Sequence, residues 1–177
     1  MIIGLEGGVC SGKTTFGKCL NKINKDNLFL PEYESFISKY EETILDSILD
    51  NTEKYAMYFE IEKNRKVYAT LNNYKNLILD RTFFSILAYE YIRNNLVGID
   101  NVIKNINKCE VLMPDIIYFL SVEQQVRIER YKRRGQPLPE FYTSEDFNKK
   151  MYMFFNNIVS RFVKVKFLDT SKFLKDW

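Results

Sequence analysis

Met1-Ile2-Ile3-Gly4-Leu5-Glu6-Gly7-Gly8-Val9-Cys10-Ser11-Gly12-Lys13-Thr14-Thr15 opens the chain. Gly7 through Thr14 satisfies the phosphate-loop pattern GxxxxGK[ST] in full. An apolar run suited to a buried strand precedes the pattern, and Phe16, Leu20 and Ile23 follow it at helical spacing. Strand, glycine loop and helix in that order give the motif its physical meaning. Glycines let the backbone approach a ligand with no Cβ in the way, and successive N–H groups converge on phosphate oxygens at the positive end of the following helix. Gly7, Gly8, Val9, Cys10, Ser11, Gly12, Lys13, Thr14 and Thr15 are therefore expected to hold a nucleoside triphosphate, with Lys13 on the β/γ-phosphates and the Thr14 hydroxyl on Mg²⁺.

Outward from the loop, short apolar runs alternate with longer helical patterns. The expected strands are Ile2–Leu5, Asn27–Leu30, Leu77–Leu79, Ile116–Leu120 and Lys164–Leu168. One expected helical stripe runs through Ala56, Phe59, Lys63 and Val67, with Tyr55, Tyr58 and Leu71 nearby. Two others comprise Phe84, Leu87, Ala88, Tyr91 and Ile92, and Phe147, Met151, Phe154, Phe155 and Ile158. Strands alternating with helices imply an α/β fold, a five-stranded parallel sheet covered on both faces, with ligands at the carboxyl ends of the strands.

That topology gathers the polar residues just past each strand. Asp80 follows Leu77-Ile78-Leu79, where a carboxylate can hold Mg²⁺ opposite Thr14, or cap the helix that starts near Phe83. Arg81 would bring a permanent cation into the cleft. Glu32, after Pro31, is the candidate for orienting an acceptor hydroxyl or taking its proton, and Glu34 is expected to cap a helix running through Phe36 and Tyr40. In Arg127-Ile128-Glu129-Arg130-Tyr131-Lys132-Arg133-Arg134, the residues Arg127, Arg130 and Arg134 share one helical face, and Gly135 and Pro137 then break the helix. A lid over about 127–142, closing on the phosphates with Arg130 and Arg134, is the expectation.

Composition narrows the classes. With 177 residues, 46% of them hydrophobic, one compact domain over 1–177 is expected. No apolar run approaches the ~20 residues of a membrane span, and a net charge of +3 does not argue for nucleic acid. The three cysteines are odd in number and lack metal-ligand spacing, which suits a reduced cytoplasm, and Cys10 reads as a small space-filling residue. The chain has no histidine, so imidazole acid–base chemistry and histidine metal sites are excluded.

On these residues the chain resembles the deoxynucleoside kinase and thymidylate kinase branch of P-loop kinases, from Ile2 to about Ser171. Glu6-Gly7 is similar to the way that branch opens its loop. Pro31-Glu32 is similar to its Pro-Glu-Pro segment, whose glutamate contacts the acceptor 5′-hydroxyl. Asp80-Arg81-Thr82 is similar to the Glu-Arg-Ser of nucleoside kinases and the Asp-Arg-Tyr of thymidylate kinases. Pro114-Asp115, then Arg130 and Arg134, resembles the strand-then-lid segment. The resemblance implies a three-layer P-loop NTPase fold with an arginine-bearing lid, ATP and Mg²⁺ as cofactors, and Asp169 in the loop that packs on adenine. It also implies a nucleoside or nucleotide acceptor, and a homodimer as in relatives that pair through helices flanking the sheet.

Val9 and the absence of a glycine pair after Glu32 lean toward the nucleoside-kinase side. Against a standard nucleoside kinase, Tyr58 stands where that family places a base-reading glutamine, and Gln136 replaces a further lid arginine. Arg65 is left as a further acceptor contact. The expected reaction is phosphoryl transfer to a nucleoside 5′-hydroxyl, with a nucleoside monophosphate or a non-nucleoside alcohol as alternatives. A regulatory switch is the lesser rival: Asn107-Lys108-Cys109-Glu110 ends in glutamate and precedes a strand, and the chain has no Asp-x-x-Gly.

Overall fold

The computed structural model describes residues 1–36, 51–72, 74–94, 98–106, 110–135 and 140–172, and the side chains at 34, 51–56 and 94 are left aside. Expectations for Tyr40, for Asn107-Lys108-Cys109, for the lid residues Gln136 and Pro137, and for the side chains of Glu34, Tyr55 and Ala56 lie outside what is described.

Five strands form one parallel sheet: β1 (Ile2–Glu6), β2 (Asn27–Leu30), β3 (Asn76–Asp80), β4 (Ile116–Ser121) and β5 (Lys164–Asp169), in spatial order β2-β3-β1-β4-β5. Each expected strand is present, and four extend by a residue at one or both ends. Alternation along β3 and β4 sorts the side chains. Ile78, Tyr118 and Leu120 join Leu5 on one face, where Phe16 and Leu20 of α1 (Lys13–Ile23) cover them. Leu77 and Leu79 point the other way, onto Ala69 of α2 (Asn51–Asn72). Ile117 and Phe119 meet α3 (Phe83–Asn94) and α7 (Glu145–Asn157), with α4 (Ile99–Asn105) in the same cluster. Between β4 and α7 run α5 (Gln124–Arg134) and the short α6 (Glu140–Thr143).

The stripes expected for α3 and α7 are broadly correct: Phe84, Leu87, Ala88, Phe147, Met151, Phe154 and Phe155 are all buried. Tyr91 and Ile23 are corrected to exposed positions near helix ends. The face of α2 is corrected over its second half only, since Tyr58 and Phe59 pack against the core as expected. Val67 and Leu71 are exposed, while Ile61, Glu62, Arg65 and Ala69 are buried. The cause is an internal ion pair. Glu62 and Arg65 are partners one turn apart at 3.0 Å, so the inward face carries charge and a hydrophobicity pattern points to the wrong side.

Helix starts follow local chemistry. Ser144 caps α7 by accepting from the Phe147 amide at 3.2 Å, with Glu145 and Asp146 in the first turn against the helix dipole. Thr82, rather than Asp80, serves α3, its hydroxyl accepting from the Phe84 amide at 3.2 Å. Asp80 is thereby left for the cleft.

Because all strands are parallel, their carboxyl ends share one edge. The register places Leu5 beside Asp80, Glu6 beside Phe119 and Ser121 beside Asp169. The loop after β1 sits at the centre of that edge.

Candidate active site

The loop from Gly7 to Gly12 leaves β1 in a conformation that two glycines enforce by contact. A Cβ on Gly7, whose φ is 132°, would lie 2.2 Å from the Leu120 carbonyl oxygen. A Cβ on Gly8 would lie 1.8 Å from Asn148 Oδ1 and 2.3 Å from Arg127 Nη1. No side chain caps the first turn of α1, so its amides remain available to an anion. Ser11 Oγ is buried within the loop without a hydrogen-bond partner.

Lys13 folds back across this loop, its Nζ donating to the carbonyls of Gly7 at 3.1 Å and Gly8 at 3.0 Å. Burial, reinforced by the nearby Arg81 charge, pulls its ammonium down to about 8 against the pull of Asp80, Glu32 and Glu6. One residue on, Thr14 Oγ1 donates to Asp80 Oδ2 at 2.5 Å. The other Asp80 oxygen, Oδ1, is buried with no partner. A carboxylate oxygen without a donor, beside a hydroxyl at the first turn of the loop helix, is a hard-oxygen donor set of the kind a divalent cation requires.

Beside Lys13 lies a second group of charged residues. Arg81 Nε meets Glu32 Oε2 at 3.0 Å, while Nη1 reaches the Gly7 carbonyl and Ser85 Oγ at 3.5 Å each. The guanidinium carbon stands 5.5 Å from the centre of the Tyr89 ring. Burial works to raise the Glu32 carboxyl, but Arg81 and Lys13 outweigh it and hold it below the usual carboxylate value. Burial likewise opposes the Arg81 charge, and Tyr89, Glu32, Glu6 and Asp80 together overcome it, so Arg81 is held above its ordinary value. This group therefore presents an ionised carboxylate and a fixed cation side by side.

The α5 arginines grip the loop from outside. Arg127 is buried, donating through Nη1 to the Val9 carbonyl at 3.0 Å and Asn148 Oδ1 at 2.6 Å, and through Nη2 to the Val122 carbonyl at 3.2 Å. Arg130 Nη1 bonds the Cys10 carbonyl at 3.2 Å, and its Nη2 bonds the Thr170 carbonyl at 2.7 Å. Arg134 is exposed at the end of α5, yet its charge contributes to keeping Glu32 ionised. At the end of β5, Asp169 turns onto its own chain, Oδ1 accepting from Ser171 N at 2.9 Å and Oγ at 2.6 Å. Thr170 Oγ1 donates to the Ser11 carbonyl at 2.8 Å, so the β5 loop and the phosphate loop are in contact.

Glu32, Asp80 and Arg81 are thus gathered around Lys13 at the strand ends, whereas Arg130 meets the loop at the Cys10 carbonyl. Arg65, left by the resemblance as an acceptor contact, is instead fully buried and bonded to backbone carbonyls of Asp80 and Arg81. Sequence reasoning missed Glu6 as a buried anchor, along with Ser85 and Asn148, whereas Thr170 lies past β5 where the strand-end argument puts a cleft residue. The signal for Glu6 was a carboxylate at the end of a fully apolar strand, which requires a partner.

A family model described as thymidylate kinase matches residues 4–176 of this chain. A curated relative, the probable thymidylate kinase of Archaeoglobus fulgidus, is 28% identical over 147 residues, covering 78% of this chain and 73% of that protein. Among solved structures, the deoxyadenosine kinase of M. mycoides with dCMP and a flexible dCDP is 23% identical, with a TM-score of 0.67 over 96% of this chain and 90% of that one. The thymidylate kinase of Candida albicans is 18% identical, with a TM-score of 0.69 over 97% and 84%. At these identities the two structures bear on the fold, a P-loop kinase sheet with its flanking helices.

Proposed function

The chain belongs to the thymidylate kinase family and is an ATP-dependent nucleoside or nucleotide kinase; within that activity we propose that it phosphorylates the 5′-hydroxyl of a (deoxy)nucleoside. The observation that carries this choice is the Glu32–Arg81 ion pair beside Lys13. An ionised, three-quarters-buried carboxylate accepts a hydrogen bond from a neutral hydroxyl and repels a dianionic phosphate. Because Arg81 and Lys13 depress its pKa, Glu32 orients the hydroxyl and accepts its proton as bond formation acidifies it, rather than abstracting it beforehand.

In this reading ATP lies on Gly7–Thr15, and Lys13 exchanges the Gly7 and Gly8 carbonyls for phosphate oxygens. The unpartnered Ser11 hydroxyl is a further donor in the loop. Thr14 and Asp80 would hold Mg²⁺, and the unpartnered Asp80 Oδ1 supports that assignment. When bound, the ion supplies neutralisation of phosphate charge. Arg81 steadies the transferring group from the acceptor side. Arg130 ties the loop to Thr170 near the expected adenine end, with Asp169 beside it, and Arg134 would supply a charge of the lid expected over about 127–142, at its end beyond the anchored Arg127 and Arg130, where it would exclude water.

The chain is taken as one catalytic domain acting in the cytoplasm, with a homodimer in keeping with the resemblance. Among the described residues no helix is long and apolar enough to cross a membrane.

A second reading, transfer to a nucleoside monophosphate, is favoured by the family model itself. An ADP-release screen across nucleosides, nucleoside monophosphates and simple alcohols separates them. Turnover with nucleosides is the expected result. Turnover with monophosphates alone overturns the assignment of Glu32 and transfers the protein to the second reading.

A further inference from the structure

Arg81 has φ of 67°, in the left-handed region that residues with a Cβ avoid. Such a backbone persists where its surroundings over-determine it. The Arg81 amide donates to the Leu5 carbonyl at 3.0 Å, and the next peptide plane, between Arg81 and Thr82, is held by side chains at both ends. Its carbonyl, that of Arg81, accepts from both Arg65 Nη1 and Nη2 at 3.2 Å. Its N–H, that of Thr82, donates to Glu6 Oε1 at 2.8 Å. Both poles of a single rigid unit are therefore held by buried charges.

Each holder is itself locked. Arg65 pairs with Glu62 at 3.0 Å and lies over the Tyr33 ring at 4.7 Å. Glu62 accepts from the Tyr33 hydroxyl and the Leu112 amide, each at 3.0 Å. Glu6 accepts from Thr82 Oγ1 at 2.7 Å and Ser85 Oγ at 2.5 Å. Tyr33 is also the residue next to Glu32, so one chain of contacts fixes both members of the Glu32–Arg81 pair.

We propose that Arg65 and Glu6 are positioning residues that clamp the Arg81–Thr82 peptide and so aim the Arg81 guanidinium at Glu32 and the acceptor. The inference rests on the reading of Arg81 as the acceptor-side cation. Buried charges are a weak means of adding stability compared with apolar packing, whereas they are directional. Releasing either pole lets the peptide rotate. Arg81 then relaxes toward ordinary backbone, and its side chain leaves the ion pair.

The test is a mutant cycle on acceptor turnover, with kcat, KM for the nucleoside and ATP affinity read separately. Arg65→Lys keeps the charge but loses the two-pronged grip. It should lower kcat by on the order of 10- to 100-fold, the scale of a misplaced catalytic group, with ATP affinity within about twofold of wild type. In an Arg81→Met background the same substitution should cost less than about twofold, because nothing is left to aim. Equal losses in both backgrounds mean a merely structural role and overturn the proposal. Glu6→Asp, too short to reach the Thr82 amide, goes through the same cycle if Arg65→Lys does not fold, with the same expectation and the same refuting result. Full turnover in Arg81→Met alone refutes the acceptor-side reading instead, and the clamp falls with it.

Discussion

ATP affinity should fall steeply as the pH rises above 8, and Lys13 is the reason. Its ammonium is drawn from an ordinary 10.5 to about 8 by burial and by Arg81, with Asp80, Glu32 and Glu6 opposing. The triphosphate adds several negative charges next to this nitrogen and restores the charged form. Binding above pH 8 must therefore take up a proton. The free protein holds the charged form in the fraction 1/(1 + 10^(pH − 8)), so Kd should be roughly doubled at pH 8 and raised about tenfold at pH 9. ATP's own phosphates are fully ionised across this range and contribute no proton of their own.

Isothermal titration calorimetry in buffers of different ionisation enthalpy reads the uptake directly. About half a proton per ATP is expected at pH 8, approaching one above pH 9. Lys13→Met should bind weakly and without the pH dependence. The ligand-free fold supplies the opposite sign. The unfolded chain binds the Lys13 proton more tightly, so between pH 8 and 10.5 the wild type should gain up to about 3 kcal/mol relative to Lys13→Met. A Kd flat from pH 7 to pH 9, with no buffer dependence of the enthalpy, would refute the account of Lys13 as a buried cation awaiting phosphate.

Two further substitutions probe the same loop. Gly7→Ala drives a methyl into the Leu120 backbone carbonyl and also strains φ, and should cost about 3 kcal/mol or more in urea unfolding. Gly8→Ala meets only the tips of Asn148 and Arg127, which can swing away, and should cost about 1.5–3 kcal/mol for the lost charged hydrogen bond. Adding Asn148→Ala should recover part of the Gly8→Ala loss and none of the Gly7→Ala loss. Asp80→Asn removes the unpartnered carboxylate charge, and should raise the Mg²⁺ concentration for half-maximal rate by on the order of 10- to 100-fold. An unchanged Mg²⁺ requirement would take Asp80 out of the metal site.

The strands were legible because a parallel sheet covered on both faces needs short, continuous apolar runs, and each run here is bounded by polar residues. Lys13, Asp80, Arg81 and Glu32 were legible for a related reason. Parallel strands put their carboxyl ends on one edge, so position in the sequence already implies position in the cleft. Glu6, Glu62 and Arg65 were not legible. Glu6 is satisfied by Thr82 and Ser85, more than seventy positions along the chain, and no local pattern announces such a pairing. Arg65 shows the same limit from the other side. A guanidinium on a long helix reads as solvent-facing or ligand-facing by default, and here its partners are Glu62 and two backbone carbonyls brought to it by the strand-to-helix turn. The second half of the α2 face, at Val67 and Leu71, was misread because one internal ion pair reverses the contrast on which periodicity depends.

The loop itself carries a physical lesson that the glycine motif does not state. Its carbonyls are almost all met by cations or hydroxyls: Gly7 and Gly8 by the cleft residues Lys13 and Arg81, and, away from the cleft, Val9 by Arg127, Cys10 by Arg130 and Ser11 by Thr170. In a trans peptide each carbonyl lies opposite the N–H of the next residue. Holding the Val9, Cys10 and Ser11 oxygens away from the cleft therefore biases the amides that follow them toward the site where phosphate would lie. Arginines on α5 then act before any ligand arrives, by fixing peptide orientations, and the dipoles need little reorganisation when charge develops during transfer. On this view the glycines permit the loop conformation and the surrounding cations select it. Of those cations, Lys13 and Arg81 are bonded to the same Gly7 carbonyl that the triphosphate must compete with. The two residues assigned to chemistry are therefore the two that must let go of the loop, while Arg127 and Arg130 keep their hold on it.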